Sequence, residues 1–178
     1  MTHYGPKELG YSFRQVRGNT LDIANEIPES QYGFKASPQS RSIAQTLVHI
    51  AFAPDVQEHV HRQSFTDASK VPWGELIQKV GSEEGKPRTK AEIVALLQSR
   101  GDAFASYLEG LSDSFLAQTV SMPPGMGVPS KSRFEMLLSP KEHEMHHRGQ
   151  LMMMQRMIGQ VPPLTRRQLE RAAQAARA

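Results

Sequence analysis

The chain has 178 residues, enough for one domain with its own core and short for two. It has no cysteine, which excludes disulfides, thiolate metal ligands and a cysteine nucleophile. No apolar run approaches the ~20 residues that span a bilayer, and the N-terminus lacks the basic start and apolar stretch of a secretory signal. We therefore expect a cytoplasmic protein with no membrane partner.

The net charge of +3 comes from the C-terminal segment, where four arginines stand against one glutamate after residue 165. No aromatic residue lies among these arginines to stack on bases, so the segment does not favour nucleic acid as a partner. We expect residues 1–160 to form one helical bundle. Residues 161–178 are expected to form a basic tail that is helical and either docked or mobile.

The first two predicted helices are marked by apolar residues at three- and four-residue steps. The first runs from about Lys7 to Ile27 and is ended by Pro28. The second opens near Ser40 or Ser42, and we expect Pro54 to kink or stop it.

The stretch from 61 to 88 is too long for a tight hairpin and suits a crossover from one end of a bundle to the other. The third helix is predicted to begin at Thr89, with a glutamate three residues later to complete a capping box. The fourth is predicted to begin at Ser139, with Pro140 at its first position and another glutamate two residues further on. An extra helical turn before Ser139 and short strand pairs in the connectors stay open. The pattern predicts an all-α four-helix bundle with a long crossover between helices 2 and 3.

Three of the seven histidines fall within five residues of the fourth helix. His143 and His147 are four residues apart, so they lie on one face and can bind one divalent ion. His146 points about 100° away from His147 and cannot aim at the same centre. The third ligand should come from another helix, and His49, embedded in an apolar run of the second helix, is the candidate.

The string His143-Glu-x-x-His147 also matches the zinc-protease motif, in which Glu144 would be the general base. Neither a strand pattern nor a downstream third ligand accompanies it, so we do not favour a protease. His59 and His61 would lie on nearly opposite faces of a helix, and their polar neighbours predict that both are at the surface.

Two further features are predicted to be structural. Trp73, in the long crossover, is expected to anchor that segment rather than to cover a site. The methionines of the fourth helix are expected to pack in the core or on a dimer face; these are Met152, Met153, Met154 and Met157.

Several segments resemble the DinB/YfiT-like superfamily: Tyr32-Gly-Phe34 followed by Pro38 and Arg41-Ser42-Ile43, then Leu47-Val-His49-Ile50, and finally residues 143–150. The resemblance covers most of the chain, and the last block, which ends in His-Arg-Gly-Gln, is its most specific part. It implies a bundle with up-down-down-up topology, a homodimer, and a divalent metal, zinc or nickel, on three histidines. The matching positions are His49, His143 and His147.

Three neutral imidazoles would leave a coordination position open, which is typical of a catalytic metal site. The resemblance implies a small-molecule substrate and either a thiol S-transferase, with a low-molecular-weight thiol as cosubstrate, or a hydrolase. A non-enzymatic, metal-stabilised bundle that acts through a protein partner is the alternative. Catalytic and cofactor-binding residues stay unassigned. Glu144, His146 and Arg148 are the candidates beside the metal, although spacing directs Arg148 away from the histidine pair.

Overall fold

The structure is a computed structural model and describes residues 4–177. Its elements, in chain order, are α1 (Pro6–Glu26), α2 (Ile43–Phe52), α3 (Pro54–Arg62), α4 (Trp73–Glu84), α5 (Lys90–Glu109), α6 (Asp113–Leu116), β1 (Thr119–Ser121), β2 (Ser130–Ser132), α7 (Arg133–Met157) and α8 (Pro163–Ala175). Short 3-10 turns lie at Glu29–Gln31 and Ala68–Lys70. The two strands pair antiparallel and close the connector that leads into α7.

The directions of α1, α5 and α7 follow from which residues meet. Gly10, near the start of α1, packs against Ala105, near the end of α5, while Lys90 at the start of α5 donates to the carbonyl of Ile27 (2.8 Å). These two helices are therefore antiparallel. In contrast, α7 runs parallel to α1, because Lys141 meets Ser12 (3.3 Å) and later residues of α7 meet later residues of α1.

The direction of α2 is opposite to that of α7. His49 contacts His143, while the preceding turn of α2, with Thr46, shares a cavity with the following turn of α7, with Gln150. The four main helices therefore run up, down, down and up, and the long crossover joins the two that run down. The predicted all-α four-helix bundle is confirmed, and its core consists of apolar faces of α1, α2, α5 and α7.

Two helix starts are fixed by capping boxes. The Thr89 hydroxyl accepts the amide of Glu92 (3.3 Å), and the Glu92 carboxylate accepts the amide of Thr89 (2.7 Å), as predicted. Ser42 caps α2 through the equivalent exchange with Gln45. Pro54 ends α2 and begins α3, where its missing N–H costs no hydrogen bond.

The predicted start of the fourth helix was wrong by seven residues. Helix α7 begins at Arg133, and the hydroxyl of its N-cap, Ser132, accepts the amide of Glu135 (3.1 Å). Pro140 then lies inside the helix, where it removes one backbone donor. Burial of the preceding turn, including Leu137 at 1% exposure, outweighs that loss.

The crossover carries a helix that the sequence did not reveal. Helix α4 packs across α2. Its first residue, Trp73, donates from Nε1 to the carbonyl of Ala68 (2.8 Å) and packs on a small apolar cluster. Trp73 thus anchors the crossover, so that α4 lies beside the middle of α2.

The C-terminal segment lies as helix α8 beside α1. Arg167 donates to Asp22 (2.6 Å), and Arg166 contacts the carboxylate of Glu26. Two of the four arginines of the tail are therefore paired with acids of α1. Among the described residues, no helix is long and apolar enough to cross a membrane.

His61 is buried rather than exposed as predicted, with 1% of its surface accessible. The guanidinium of Arg133, also buried, lies 3.0 Å from His61 Nδ1 and donates to the carbonyl of Phe65 (3.0 Å). Because Arg133 can only donate, His61 Nδ1 accepts and the ring is neutral. Burial and the charge of Arg133 lower the pKa of His61 to about 4.

This burial predicts a loss of stability in acid. Between about pH 6.5 and 4 the unfolded chain binds a proton at His61 that the folded chain does not, so the free energy of unfolding falls as the pH is lowered. The expected loss is about 3 kcal/mol. Urea denaturation at pH 7 and pH 4 should show that His61→Gln loses less stability than the wild type on acidification. An equal loss in both proteins would contradict the prediction.

Candidate metal centre

The three predicted histidines meet at one point between α2 and α7. His143 Nε2 lies 3.0 Å from His49 Nε2 and 3.1 Å from His147 Nε2. All three can offer a ligand nitrogen within 4.8 Å of the others. The spacing of one helical turn within α7 and the antiparallel approach of α2 bring them together.

The outer nitrogens of two of these rings are held by side chains. His49 Nδ1–H donates to Glu84 Oε1 (2.8 Å), and His147 Nδ1–H donates to Gln150 Oε1 (2.8 Å). Each bond fixes the ring orientation and places the proton on Nδ1. The Nε2 atoms of His49 and His147 therefore both present lone pairs to the centre.

The nitrogen set fits a metal cation. His143 Nε2 faces two lone pairs, and a proton on it can form a full hydrogen bond with only one of them. The other tautomer places that proton on Nδ1, which is buried without a partner. A divalent cation among the three Nε2 atoms resolves this conflict because it accepts all three lone pairs. Imidazole nitrogens suit divalent transition metals.

The surroundings keep the rings neutral, as metal ligands must be. Burial lowers the pKa of His49 and His147, and burial together with the neighbouring histidines lowers the pKa of His143 to about 4. The rings are therefore neutral at physiological pH.

Glu84 and Arg41 are the residues of the site that the sequence did not reveal. Arg41 donates to both oxygens of Glu84, from Nε at 2.6 Å and from Nη2 at 3.2 Å. Burial alone would raise the pKa of Glu84, but the hydrogen bonds from Arg41 and His49 outweigh it and lower that pKa. Glu84 is thus an ionised carboxylate that orients a candidate metal ligand.

We expect Glu84→Gln to weaken metal binding about 10- to 100-fold, the usual effect of removing such a supporting carboxylate. Glu83→Gln is the matched control, because Glu83 pairs with Lys86 and Arg88 instead. Competition with a chelator of known affinity would measure both variants. Equal affinities would contradict an orienting role for Glu84.

Two cavities flank the histidines, and Arg41 and Glu84 border both of them. The first, of about 780 Å³, is lined mainly by polar residues, among them His147, Gln150 and Lys35, and we call it the polar cavity. The second, of about 350 Å³, is bordered by His49 and His143 and has mainly apolar walls. The centre can therefore be approached by chemically different molecules from two sides.

The other candidates lie away from the point where the histidines meet. Both oxygens of Glu144 are bound by Arg17 in the core, so Glu144 is not placed to act as a general base. His146 is exposed and accepts from Gln150 Nε2 (3.0 Å), which links it to the centre only through that amide. Arg148 is half-buried, and burial lowers the pKa of its guanidinium. No contact of Arg148 with the histidines is present among the described residues.

Fold and site together define a four-helix bundle with a three-histidine centre between its second and fourth long helices. The sequence profile of the DinB superfamily matches residues 12–151, and the chain belongs to that superfamily. No curated protein matches the chain at a significant level.

Solved structures share this fold. YfiT from Bacillus subtilis, described as a probable metal-dependent hydrolase with an unusual four-helix bundle topology, is 15% identical, with a TM-score of 0.70 over 90% of this chain and 91% of YfiT. A DinB-like protein from Bacillus subtilis is 20% identical, with a TM-score of 0.63 over 86% of this chain and 94% of its own. One from Bacillus cereus is 17% identical, with a TM-score of 0.65 over 88% and 94%. At these identities the likeness concerns the fold.

Proposed function

We propose that this protein is a divalent-metal-dependent enzyme in which His49, His143 and His147 hold the metal and leave a position for a reactant. The convergence of three Nε2 atoms, two of them with outer nitrogens already bonded, carries the proposal. A divalent ion held in this way lowers the pKa of a coordinated water or thiol. The reaction is then hydrolysis or the transfer of a thiolate to an electrophile.

Thiol transfer is the version that the surrounding side chains favour. Glu84 is bound by Arg41 and Glu144 by Arg17, so neither carboxylate is available as a general base. A thiol, with a pKa of about 8.5, needs less help to ionise than water, at about 15.7. The polar cavity beside His147 has room for a small polar thiol, and Lys35 on its wall can pair with a carboxylate of that thiol.

Hydrolysis is the second candidate, because the structurally similar YfiT is described as a probable metal-dependent hydrolase. In that case the polar cavity supplies the attacking water. Activity with an added thiol and none with water alone would distinguish the first candidate from the second.

The test begins with the metal content of protein purified without a chelator or a histidine tag. We expect about one equivalent of zinc or nickel per chain, and turnover of an electrophile by the metal-loaded protein with a small thiol or with water. No bound metal, even after both ions are added, would overturn the proposal. A metal that raises the melting temperature without any turnover would instead support a structural role.

A further inference from the structure

A second mainly apolar cavity adjoins the one at the histidines. This second cavity, of about 590 Å³, is formed by Trp73, Met136 and the loop that carries Met122 and Met126. The two cavities share a border, because Gln57 and Ser139 line both. We call this pair of adjoining cavities the apolar tract.

Both cavities of the tract have mainly apolar walls. Near the histidines the apolar wall residues are Val56, Ile77, Val80 and Pro140. In the second cavity they include Trp73 and three methionines, and the charged residues Lys131, Glu135 and Glu142 also border it. Ile77 is 62% exposed at the first cavity, and Met126 is equally exposed at the second. Large apolar side chains left in contact with water along a cavity indicate an apolar ligand.

Gln57, which borders both cavities, carries an unpaired polar atom. Gln57 Oε1 is buried and has no hydrogen-bond partner. An unsatisfied buried acceptor costs about 1–3 kcal/mol, so a donor on a ligand passing between the cavities would be bound favourably.

The tract follows α7 from His143 back to Glu135, eight residues and about 12 Å of helix. A ligand whose reacting group is at the histidines can therefore extend an alkyl chain of about ten carbons along it, since such a chain covers that distance. The polar cavity shares Arg41 and Glu84 with the first cavity of the tract but borders His147 instead of His49 and His143.

We propose that the electrophilic substrate carries an extended apolar chain that occupies the apolar tract, while the polar cavity takes the nucleophile. This inference rests on the proposed metal-dependent function, since the histidines define where the reacting group lies. The substrate class is then an alkyl or acyl electrophile with a chain of about ten carbons. A hydroxyl or amide N–H on that chain that reaches Gln57 would strengthen binding.

A series of n-alkyl hydroxamates tests the proposal by binding alone. The hydroxamate group ligates zinc, so the series measures how chain length affects affinity for the zinc-loaded protein by calorimetry. Affinity should rise about three- to fourfold per added methylene until the tract is filled, at about ten carbons, the usual effect of burying a CH₂ group. Acetohydroxamate binding with no gain from longer chains would overturn the inference and leave the metal centre intact.

Two glycines of α4 provide a matched pair of variants. Gly81 borders the first cavity and Gly74 borders neither, and a Cβ at either position would meet no atom within 4 Å. Gly81→Leu should fill the cavity and weaken binding of the ten-carbon hydroxamate at least ~10-fold, without weakening acetohydroxamate binding. Gly74→Leu should leave both affinities unchanged. Equal long-chain affinities in the two variants would also overturn the inference.

A second pair of variants tests the second cavity. Met126→Glu places a charge at its rim and should weaken the ten-carbon hydroxamate but not a four-carbon one. Met157→Glu is the control, because Met157 is also half-exposed, at 51%, and borders neither cavity.

A protein that binds no metal would give a different result in these experiments. If the protein takes up no zinc, hydroxamates of every length will fail to bind, and the proposed function fails with them. The tract is then tested on metal-free protein with the fluorescent probe 1-anilinonaphthalene-8-sulfonate. Binding by the wild type and Gly74→Leu but not by Gly81→Leu would support the tract, and equal binding by all three would overturn it.

Discussion

His147→Ala is expected to abolish metal binding and activity, whereas His146→Ala should retain both. The variant removes one of the three Nε2 donors, and the two that remain are fewer than the three protein ligands of a catalytic zinc site. His146 lies one residue away but is exposed and contacts the centre only through Gln150. It is therefore a control with the same chemistry and the same helix.

Metal analysis after identical purification, followed by zinc titration, measures the effect. Excess zinc should raise the melting temperature of the wild type and of His146→Ala, because a ligand that binds only the folded state stabilises it. The melting temperature of His147→Ala should not respond. If His147→Ala bound zinc as tightly as the wild type, the ligand set would have to include another residue in its place.

The histidine pair of α7 could be predicted from the sequence because its geometry is local. Residues four apart in a helix share a face whatever surrounds the helix, so His143 and His147 had to converge. His49 could be predicted as the third candidate ligand because a four-helix bundle packs α2 beside α7.

Glu84 could not be found in the same way, because its position depends on tertiary packing. It ends α4, a helix with two glycines in its interior, Gly74 and Gly81, and no side-chain hydrogen bond at its N-cap. What holds α4 is burial of residues such as Val80 against α2, 7% exposed. The apolar periodicity of the crossover sequence does not show that α4 packs against α2.

The start of α7 and the burial of His61 were misjudged for a related reason. The local signal at Ser139 and Pro140 is typical of a helix start, yet burial of the preceding turn extends the helix back to Arg133. His61 has polar sequence neighbours, but its partner Arg133 comes from 72 residues further along the chain. Local patterns do not report such pairings.

The largest expected effect on stability concerns the ion pair between Arg17 and Glu144, which are 3% and 1% exposed. Arg17 binds the two oxygens of Glu144 from Nε at 3.0 and 3.1 Å, and also donates to the carbonyls of Leu97 (2.6 Å) and Ile50 (3.2 Å). The space for its side chain depends on Gly101, where an added Cβ would lie 2.7 Å from Arg17 Cγ. One side chain of α1 thus contacts all three other main helices.

Glu144→Leu should lower the free energy of unfolding by about 3–5 kcal/mol, because it leaves the guanidinium buried without its counter-charge. For a chain of this length that corresponds to a fall in melting temperature of about 10–15 °C. The double variant Arg17→Met/Glu144→Leu should recover most of the loss, since a buried pair can be replaced by apolar groups at little cost. Urea denaturation of wild type, both single variants and the double variant would give the coupling energy.

The same four proteins separate stability from the geometry of the metal centre. Glu144 adjoins His143 in α7 and Ile50 adjoins His49 in α2, so Arg17 ties together the two helices that carry the candidate ligands. If these contacts of Arg17 hold His49 and His143 at the distance that metal binding needs, the double variant will regain stability but bind zinc more weakly than the wild type. Wild-type zinc affinity in the double variant would show that apolar packing alone sets the spacing of α2 and α7.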